Sequence, residues 1–181
     1  MKSLFAGVLT ASTMVCVALA RSTAQTPADP PAHIVSTFSF EIAAPMAQIA
    51  PLFAPEAERR WAGKHWNPIF AWPLPGKDVQ GAVFTTKHGP FDAVWVNTRF
   101  DPPAGRMQYV CVLPGIFATI VDVRVIALAR SRTRVNVTYT RTSLDPAAND
   151  EVRHLAQKDR ASAPEWRQGI EAALGLRPQN P

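Results

Sequence analysis

Five short segments between positions 79 and 143 constrain the fold more than any other feature of the sequence. β-Branched and aromatic residues alternate with polar ones in each of them, at positions 79–88, 93–100, 107–113, 117–129 and 133–141. Turn-forming residues separate them, as in His88-Gly89-Pro90 and Pro114-Gly115. Because strands this close in sequence pair as antiparallel hairpins, the pattern predicts a five-stranded antiparallel meander.

The segments on either side of the meander predict one more strand and several helices. Residues 34–42 alternate at the two-residue period of a half-buried strand. Residues 46–62 follow a helical rhythm, but Pro51 and Pro55 interrupt it, which favours two short helices.

After position 146 the apolar residues again recur at helical spacing. The stripe comprises Val152, Leu155, Ala156, Asp159, Ala163, Trp166, Ile170 and Ala173. Pro164 interrupts this stripe, and Ser162 with Glu165 three residues later matches a capping box. We therefore expect a long C-terminal helix that is kinked or split.

This order of elements predicts an α+β fold in which one curved antiparallel sheet grips the C-terminal helix. The open face of such a sheet must be covered, and only the terminal helix is long enough to cover it. A helix laid across a curved sheet contacts it imperfectly. The predicted fold therefore leaves an internal cavity lined by alternate residues of the strands.

The N-terminal residues match a secretory signal peptide over positions 1–24. Lys2 gives a positive start, residues 4–20 are apolar, and small residues precede two cleavage points, after Ala20 and after Ala24. An uncleaved anchor is the alternative, but Thr10, Ser12 and Thr13 interrupt the apolar run. We expect cleavage, a periplasmic or secreted location and no stable membrane insertion afterwards. Prolines then mark residues 25–33 as a linker, with the domain at 34–177.

The charge and the cysteines exclude two further classes of function. The formal net charge is +5, and the basic residues are scattered rather than gathered on one face, so we expect no nucleic-acid partner. Signal cleavage leaves Cys111 as the one remaining cysteine, and its apolar neighbours indicate a buried thiol rather than a nucleophile.

Several stretches of the chain resemble bacterial members of the START-like superfamily, also called SRPBCC or polyketide cyclase/dehydrase-like proteins. They are residues 52–68 (LFAPEAERRWAGKHWNP), 81–89 (GAVFTTKHG), 93–96 (AVWV), 109–110 (YV), 113–115 (LPG), 137–144 (VTYTRTSL) and 165–166 (EW). The resemblance spans the mature domain and implies a helix-grip fold with a deep pocket. It implies no single activity, since the superfamily includes lipid and hormone binders, cyclases, ring-hydroxylase subunits and chaperone cofactors. The export signal argues against the cytosolic roles among these.

The sequence contains no recognisable catalytic or metal-binding motif. The four histidines (His33, His65, His88 and His154) do not have the spacing of zinc ligands, so no metal or other cofactor is expected. Nucleophile elbow, P-loop and dinucleotide fingerprints are missing from the sequence as well.

Two carboxylates stand out. Asp159 lies on the apolar stripe of the terminal helix and could pair with Arg141 on the inner face of its strand, or both could be solvated. Glu58 could face the mouth of the pocket or belong to a solvated helix face.

The aromatic residues are the strongest local signal of a pocket. Tyr139 shares a strand face with Val135 and Val137, which predicts that it points inward. Trp95 belongs to a strand that is apolar on both faces, so it could point either way. Tryptophan needs a partner for its N–H, which suits a pocket wall or rim as well as a packed core. The predicted pocket residues are Trp61, Trp66, Phe84, Trp95, Tyr109, Tyr139, Arg141, Asp159 and Trp166.

These observations lead to three hypotheses about function. The first is periplasmic binding of a small hydrophobic partner molecule, lipid-, sterol- or polyketide-like, in the internal cavity. The second is a cyclase/dehydrase-type enzyme in which Asp159, Arg141 or Tyr139 acts on an aromatic or polyketide-like substrate. The third is a structural or partner-binding protein whose cavity is filled by its own side chains. The sequence predicts no particular oligomeric state.

Overall fold

The computed structural model describes residues 29–176. It contains seven strands: β1 (His33–Ile42), β2 (Ile69–Trp72), β3 (Val83–His88), β4 (Phe91–Asp101), β5 (Arg106–Leu113), β6 (Phe117–Ala129) and β7 (Arg132–Ser143). Four α-helices accompany them: α1 (Met46–Ile49), α2 (Pro55–Glu58), α3 (Asn149–Ala161) and α4 (Ala163–Ala173). Short 3₁₀ helices at Ala50–Phe53 and Pro146–Ala148 complete the secondary structure of this part of the chain. The predicted signal peptide and residues 25–28 of the predicted linker lie outside the described residues.

All seven strands form one antiparallel sheet in the order β1-β7-β6-β5-β4-β3-β2. Strands β3 to β7 follow one another as the predicted meander, and β1 pairs with β7, with His33 opposite Thr142 and Ile42 opposite Thr133. The α+β class, the single sheet and the gripping C-terminal helix predicted from the sequence are confirmed.

Strand β2 is the element that the sequence pattern missed. It is only four residues long and lies in a Trp- and Pro-rich stretch, so it shows no measurable two-residue period. It pairs with β3, with Phe70 opposite Phe84.

Strand β3 begins at Val83, four residues later than predicted. Gly81 has a φ of 83°, a left-handed conformation that ends regular strand geometry there. The Asn97 side chain fixes this turn, because its Nδ2 donates a hydrogen bond to the Val79 carbonyl at 3.1 Å.

The core lies between the inner face of the sheet and the helices. Alternation along the strands turns Phe40, Met107, Val123 and Val137 inward, where all are buried. Ile49 at the end of α1 is fully buried against them. Helices α3 and α4 cover β1 and β7, with α3 burying Val152 and Ala156 and α4 burying Ile170.

The C-terminal helix is split at Ser162, as the proline at position 164 predicts. The expected capping box does not form, because Ser162 has helical backbone angles and its hydroxyl donates back to the Lys158 carbonyl at 2.9 Å. Gly169 lets α4 approach the turn after α2 closely, since a Cβ at position 169 would lie 2.7 Å from the Trp61 carbonyl oxygen. Trp61 is therefore held directly against α4.

Candidate functional site

A cavity of about 220 Å³ lies between the inner face of the sheet, the turn after α2 and helix α4. Aromatic side chains form most of its wall. The lining residues are Glu58, Trp61, Ala62, Trp66, Trp95, Tyr109, Val121, Val123, Tyr139, Glu165 and Trp166.

The aromatic rings of the wall support one another in two groups. Around α4, Trp61 and Trp166 meet edge to face with ring centroids 5.0 Å apart, and Phe53 packs against both. On the other side, Trp66 meets Trp95 edge to face at 5.5 Å. Edge-to-face contacts of this kind fix ring orientation, so the wall has a defined shape.

Most of the polar atoms on these rings are already engaged with the protein. The indole N–H of Trp61 donates to the Leu52 carbonyl at 2.7 Å, and that of Trp66 donates to the Pro55 carbonyl at 2.8 Å. Trp95 donates to the Thr86 hydroxyl at 2.9 Å, and the Tyr109 hydroxyl donates to the Phe53 carbonyl. These four side chains consequently present apolar ring surface to the cavity.

Glu58 contributes a polar group to this wall that is not engaged in this way. Helix α2 ends at this residue, whose side chain is buried and lines the cavity. Within residues 29–176 its carboxyl takes part in no hydrogen bond and no ion pair. Burial raises the pKa of Glu58 well above its usual range, and the nearby carboxyl of Asp78 raises it further.

Asp78 adjoins this group from the loop before β3. Its carboxyl accepts a hydrogen bond from the Glu56 backbone N–H at 2.9 Å, which ties the loop to the first turn of α2. Desolvation nevertheless raises the pKa of Asp78. Two carboxyl groups with raised pKa values thus lie close to each other, with no cation paired to either among the described residues.

The Tyr139 hydroxyl is a second polar group that is not engaged within the described part of the chain. Burial is the main reason that the pKa of Tyr139 is raised, with Asp159 and Glu58 adding to the effect. The phenol is therefore neutral throughout the ordinary pH range and can donate or accept a hydrogen bond.

Arg141 and Asp159 form a buried ion pair beyond the cavity wall. Arg141 Nη1 lies 2.7 Å from Asp159 Oδ2, and the Ser36 hydroxyl donates to the same oxygen at 2.8 Å. Arg141 Nε also donates to Thr119 at 3.1 Å, and its guanidinium lies 5.3 Å from the centroid of the Tyr139 ring. This network joins α3 to strands β1, β6 and β7.

The structure places the predicted pocket residues in two sets. Trp61, Trp66, Trp95, Tyr109, Tyr139 and Trp166 line the cavity. Phe84, Arg141 and Asp159 are not among its lining residues. Phe84 is fully buried and stacks behind Trp95, with ring centroids 6.0 Å apart, while the other two residues are held by their own pairing.

Val121, Val123, Ala62 and Glu165 line the cavity but were not predicted, and Glu58, whose direction the sequence left open, lines it as well. Strand β6 is apolar on both faces, with Ile120 and Ile126 exposed, so alternation did not single out Val121 and Val123. Glu58 lies in a helix of four residues, which is too short for a helical period to show its direction.

Cys111 is buried in β5, and burial raises the pKa of its thiol to about 12, which agrees with a structural role. Across residues 29–176 there is no group of three or more His, Cys, Asp or Glu side chains arranged to hold a metal ion. Within the same residues, no helix has the length and apolar character needed to cross a membrane.

A seven-stranded antiparallel sheet wrapped around C-terminal helices, with a cavity between them, is the helix-grip fold that the sequence predicted. Comparison with solved structures confirms this helix-grip fold. No protein-family model matches the sequence, and no curated protein matches it either.

Three solved structures illustrate the likeness. A point mutant of norcoclaurine synthase from Thalictrum flavum, in complex with a transition-state analogue, has a TM-score of 0.60 at 13% identity, over 81% of this chain and 98% of that one. Zhui aromatase/cyclase from Streptomyces sp. R1128 has a TM-score of 0.56 at 13% identity, over 79% and 94%. A protein from Thermobifida fusca has a TM-score of 0.58 at 16% identity, over 81% and 99%.

Proposed function

We propose that this protein binds a small, largely apolar aromatic molecule in the cavity between the sheet and α4. The observation that carries the proposal is the wall itself, in which four tryptophans and two tyrosines surround about 220 Å³ of space. Ring faces of this kind favour an aromatic ligand, since offset and edge-to-face contacts add to the burial of apolar surface.

The size of the cavity narrows the class of ligand. An apolar protein cavity of about 150 Å³ holds benzene, and typical pockets for drug-sized molecules measure roughly 300–1,000 Å³. A cavity of about 220 Å³ therefore suits one or two fused rings better than a lipid or sterol. Among proteins that share the fold, norcoclaurine synthase has been solved with dopamine and hydroxybenzaldehyde, which are single-ring aromatics.

A cyclase-type enzyme is the second candidate, and Glu58 is the observation that favours it. A carboxyl with a raised pKa in a cavity is a suitable general acid, and Zhui aromatase/cyclase shares the fold. A catalyst would convert an aromatic or polyketide-like substrate, whereas a binding protein would release it unchanged. We also propose a periplasmic location, on the signal-peptide pattern of residues 1–24.

Binding can be tested by titrating the ¹⁵N-labelled protein with indane, a bicyclic hydrocarbon without charge. Four of the five tryptophans line the cavity, whereas Trp72 is 54% exposed and lies outside it. We expect the indole N–H resonances of the four lining tryptophans to shift with a common dissociation constant while that of Trp72 stays in place.

A matched pair of variants checks that the cavity is responsible. Ala62→Phe adds a ring to the cavity wall and should abolish the shifts, whereas Ala147→Phe adds the same ring at an exposed position and should preserve them. Equal shifts in the parent and in Ala62→Phe would refute binding in this cavity.

A further inference from the structure

Among residues 29–176, no cationic side chain pairs with the Glu58 carboxyl, which lies in an aromatic cavity. The two arginines that follow it in sequence are engaged elsewhere: Arg59 pairs with Glu56 at 3.0 Å, and Arg60 donates to the Ala173 carbonyl at 2.9 Å. A buried carboxylate without a partner is strongly unfavourable, so the group takes up a proton instead. A protonated carboxyl is a hydrogen-bond donor as well as an acceptor.

Within the described part of the chain, the Glu58 carboxyl forms no hydrogen bond. The backbone carbonyls of Leu52, Phe53 and Pro55 near the cavity already accept from Trp61, Tyr109 and Trp66 respectively. The Glu58 carboxyl itself reaches the open space of the cavity. An oxygen atom of a molecule bound in the cavity is therefore a suitable acceptor for its proton.

We infer that Glu58 donates a hydrogen bond to an oxygen atom of the bound molecule, so that the ligand is an uncharged aromatic compound carrying a carbonyl or hydroxyl oxygen. This inference rests on the proposed function, because it names the polar part of a ligand whose apolar part fills the same cavity. An anionic ligand is disfavoured, since Glu165 is a second acidic side chain of the wall and Asp78 is an acidic neighbour of Glu58.

The groups that face Glu58 set the pH dependence of this donor. They are Asp78 from the loop before β3, Tyr109 from β5, Tyr139 from β7 and Glu165 from α4. All four are acids, so each of them is either neutral or negatively charged, and none can lower the pKa of Glu58 by supplying a positive charge. The donor is therefore present at low pH and is lost as the pH rises through the raised pKa of Glu58.

The test compares indane with 1-indanone, which share a ring skeleton and differ by one carbonyl. The measured quantity is the ratio of their dissociation constants, Kd of indane over Kd of 1-indanone, at pH 5. We expect Glu58→Leu to lower this ratio at least fivefold, Glu58→Gln to keep it because the amide still donates, and Glu151→Leu, a change at an exposed site on α3, to leave it unchanged.

A pH series adds a readout that a merely structural role would not move. Between pH 5 and pH 9 the ratio should fall in the parent towards that of Glu58→Leu and stay flat in Glu58→Gln. If both probes bind but Glu58→Leu keeps the parent ratio, or if Tyr139→Phe lowers the ratio and Glu58→Leu does not, the inference is wrong while the proposed function stands. If neither probe binds the parent, the proposed function itself fails.

Discussion

At the scale of single residues, the unusual group is a carboxyl that folding has removed from water. Glu58 has a higher pKa in the folded protein than in the unfolded chain, because burial and Asp78 disfavour its charged form. The contribution of such a group to the stability of the folded state is complete at pH values below its unfolded pKa of about 4.3. The contribution is then lost as the pH rises through the folded pKa.

The first prediction follows from this linkage. Glu58→Gln removes the titration and should raise the melting temperature relative to the parent at pH 8, by an amount that shrinks towards zero near pH 4. Each unit of pKa shift corresponds to about 1.4 kcal/mol in the free energy of unfolding. Thermal unfolding followed by circular dichroism between pH 4 and pH 8 measures the difference.

The matched control is Glu151→Gln, which changes an exposed carboxyl. This control should not raise the melting temperature relative to the parent at pH 8. A Glu58→Gln protein with the parent's melting temperature at pH 8 would contradict the buried, unpaired state of Glu58.

What the sequence reveals about single residues depends on the element that carries them. The inward direction of Tyr139 was readable because the opposite face of β7 carries Asn136, Thr138 and Thr140, and the structure places Tyr139 in the cavity wall. Trp95 lies in a strand with two apolar faces, so the alternation of side chains did not show which way it points. For Glu58, no residue pattern exists in a four-residue helix, and only the tertiary packing shows that its side chain is buried.

At the scale of the elements, the joint between α3 and the sheet is an ion pair rather than an apolar contact. Arg141 and Asp159 have only 7% and 11% of their side-chain surfaces exposed, and Ser36 completes the contact from β1. Removing one partner of such a pair leaves a buried charge without compensation.

The second prediction is therefore an asymmetry between single and double variants. Asp159→Leu should reduce the free energy of unfolding by about 3–5 kcal/mol, since it strands the Arg141 charge. The double variant Arg141→Met with Asp159→Leu should recover most of this loss, because both charges are gone. Denaturant unfolding of the two variants, at the same ionic strength, provides the comparison.

Additive losses, with the double variant less stable than Asp159→Leu, would show that the pair itself is a net source of stability. The sequence suggested this pair from the position of Asp159 on an apolar stripe and of Arg141 on an apolar strand face. It left a solvated alternative open, because side-chain reach and the position of Ser36 depend on the register between β1 and β7.

At the scale of the whole molecule, the order of strands and helices was predictable because it follows from local periodicity and turn chemistry. The short β2 strand was not, since it depends on pairing with β3 rather than on its own pattern. The size and lining of the cavity were also beyond the sequence, because they depend on how closely α4 approaches the turn at Trp61.

The third prediction concerns the compartment of the mature protein. The pattern at residues 18–24 favours cleavage after Ala20 or Ala24, so N-terminal sequencing of protein from the periplasmic fraction should begin at Arg21 or Gln25. Substitution of Ala18 and Ala20 by arginine is the matched test, because it should block cleavage at the first site. A product that begins at Met1 in the soluble cytosolic fraction would contradict export.

The pairing of β1 with β7 also has a consequence for how the chain folds. Strand β1 is the first of the seven in the chain, yet its one partner is the last, with about a hundred residues between them. Closing so long a loop precedes any gain from the contacts that it creates, which slows folding of this topology. Until β7 pairs with it, strand β1, which carries Phe38 and Phe40, has no neighbour in the sheet. A chain in which β7 has not yet paired therefore leaves the edge of β1 exposed, and we expect self-association to begin on this segment.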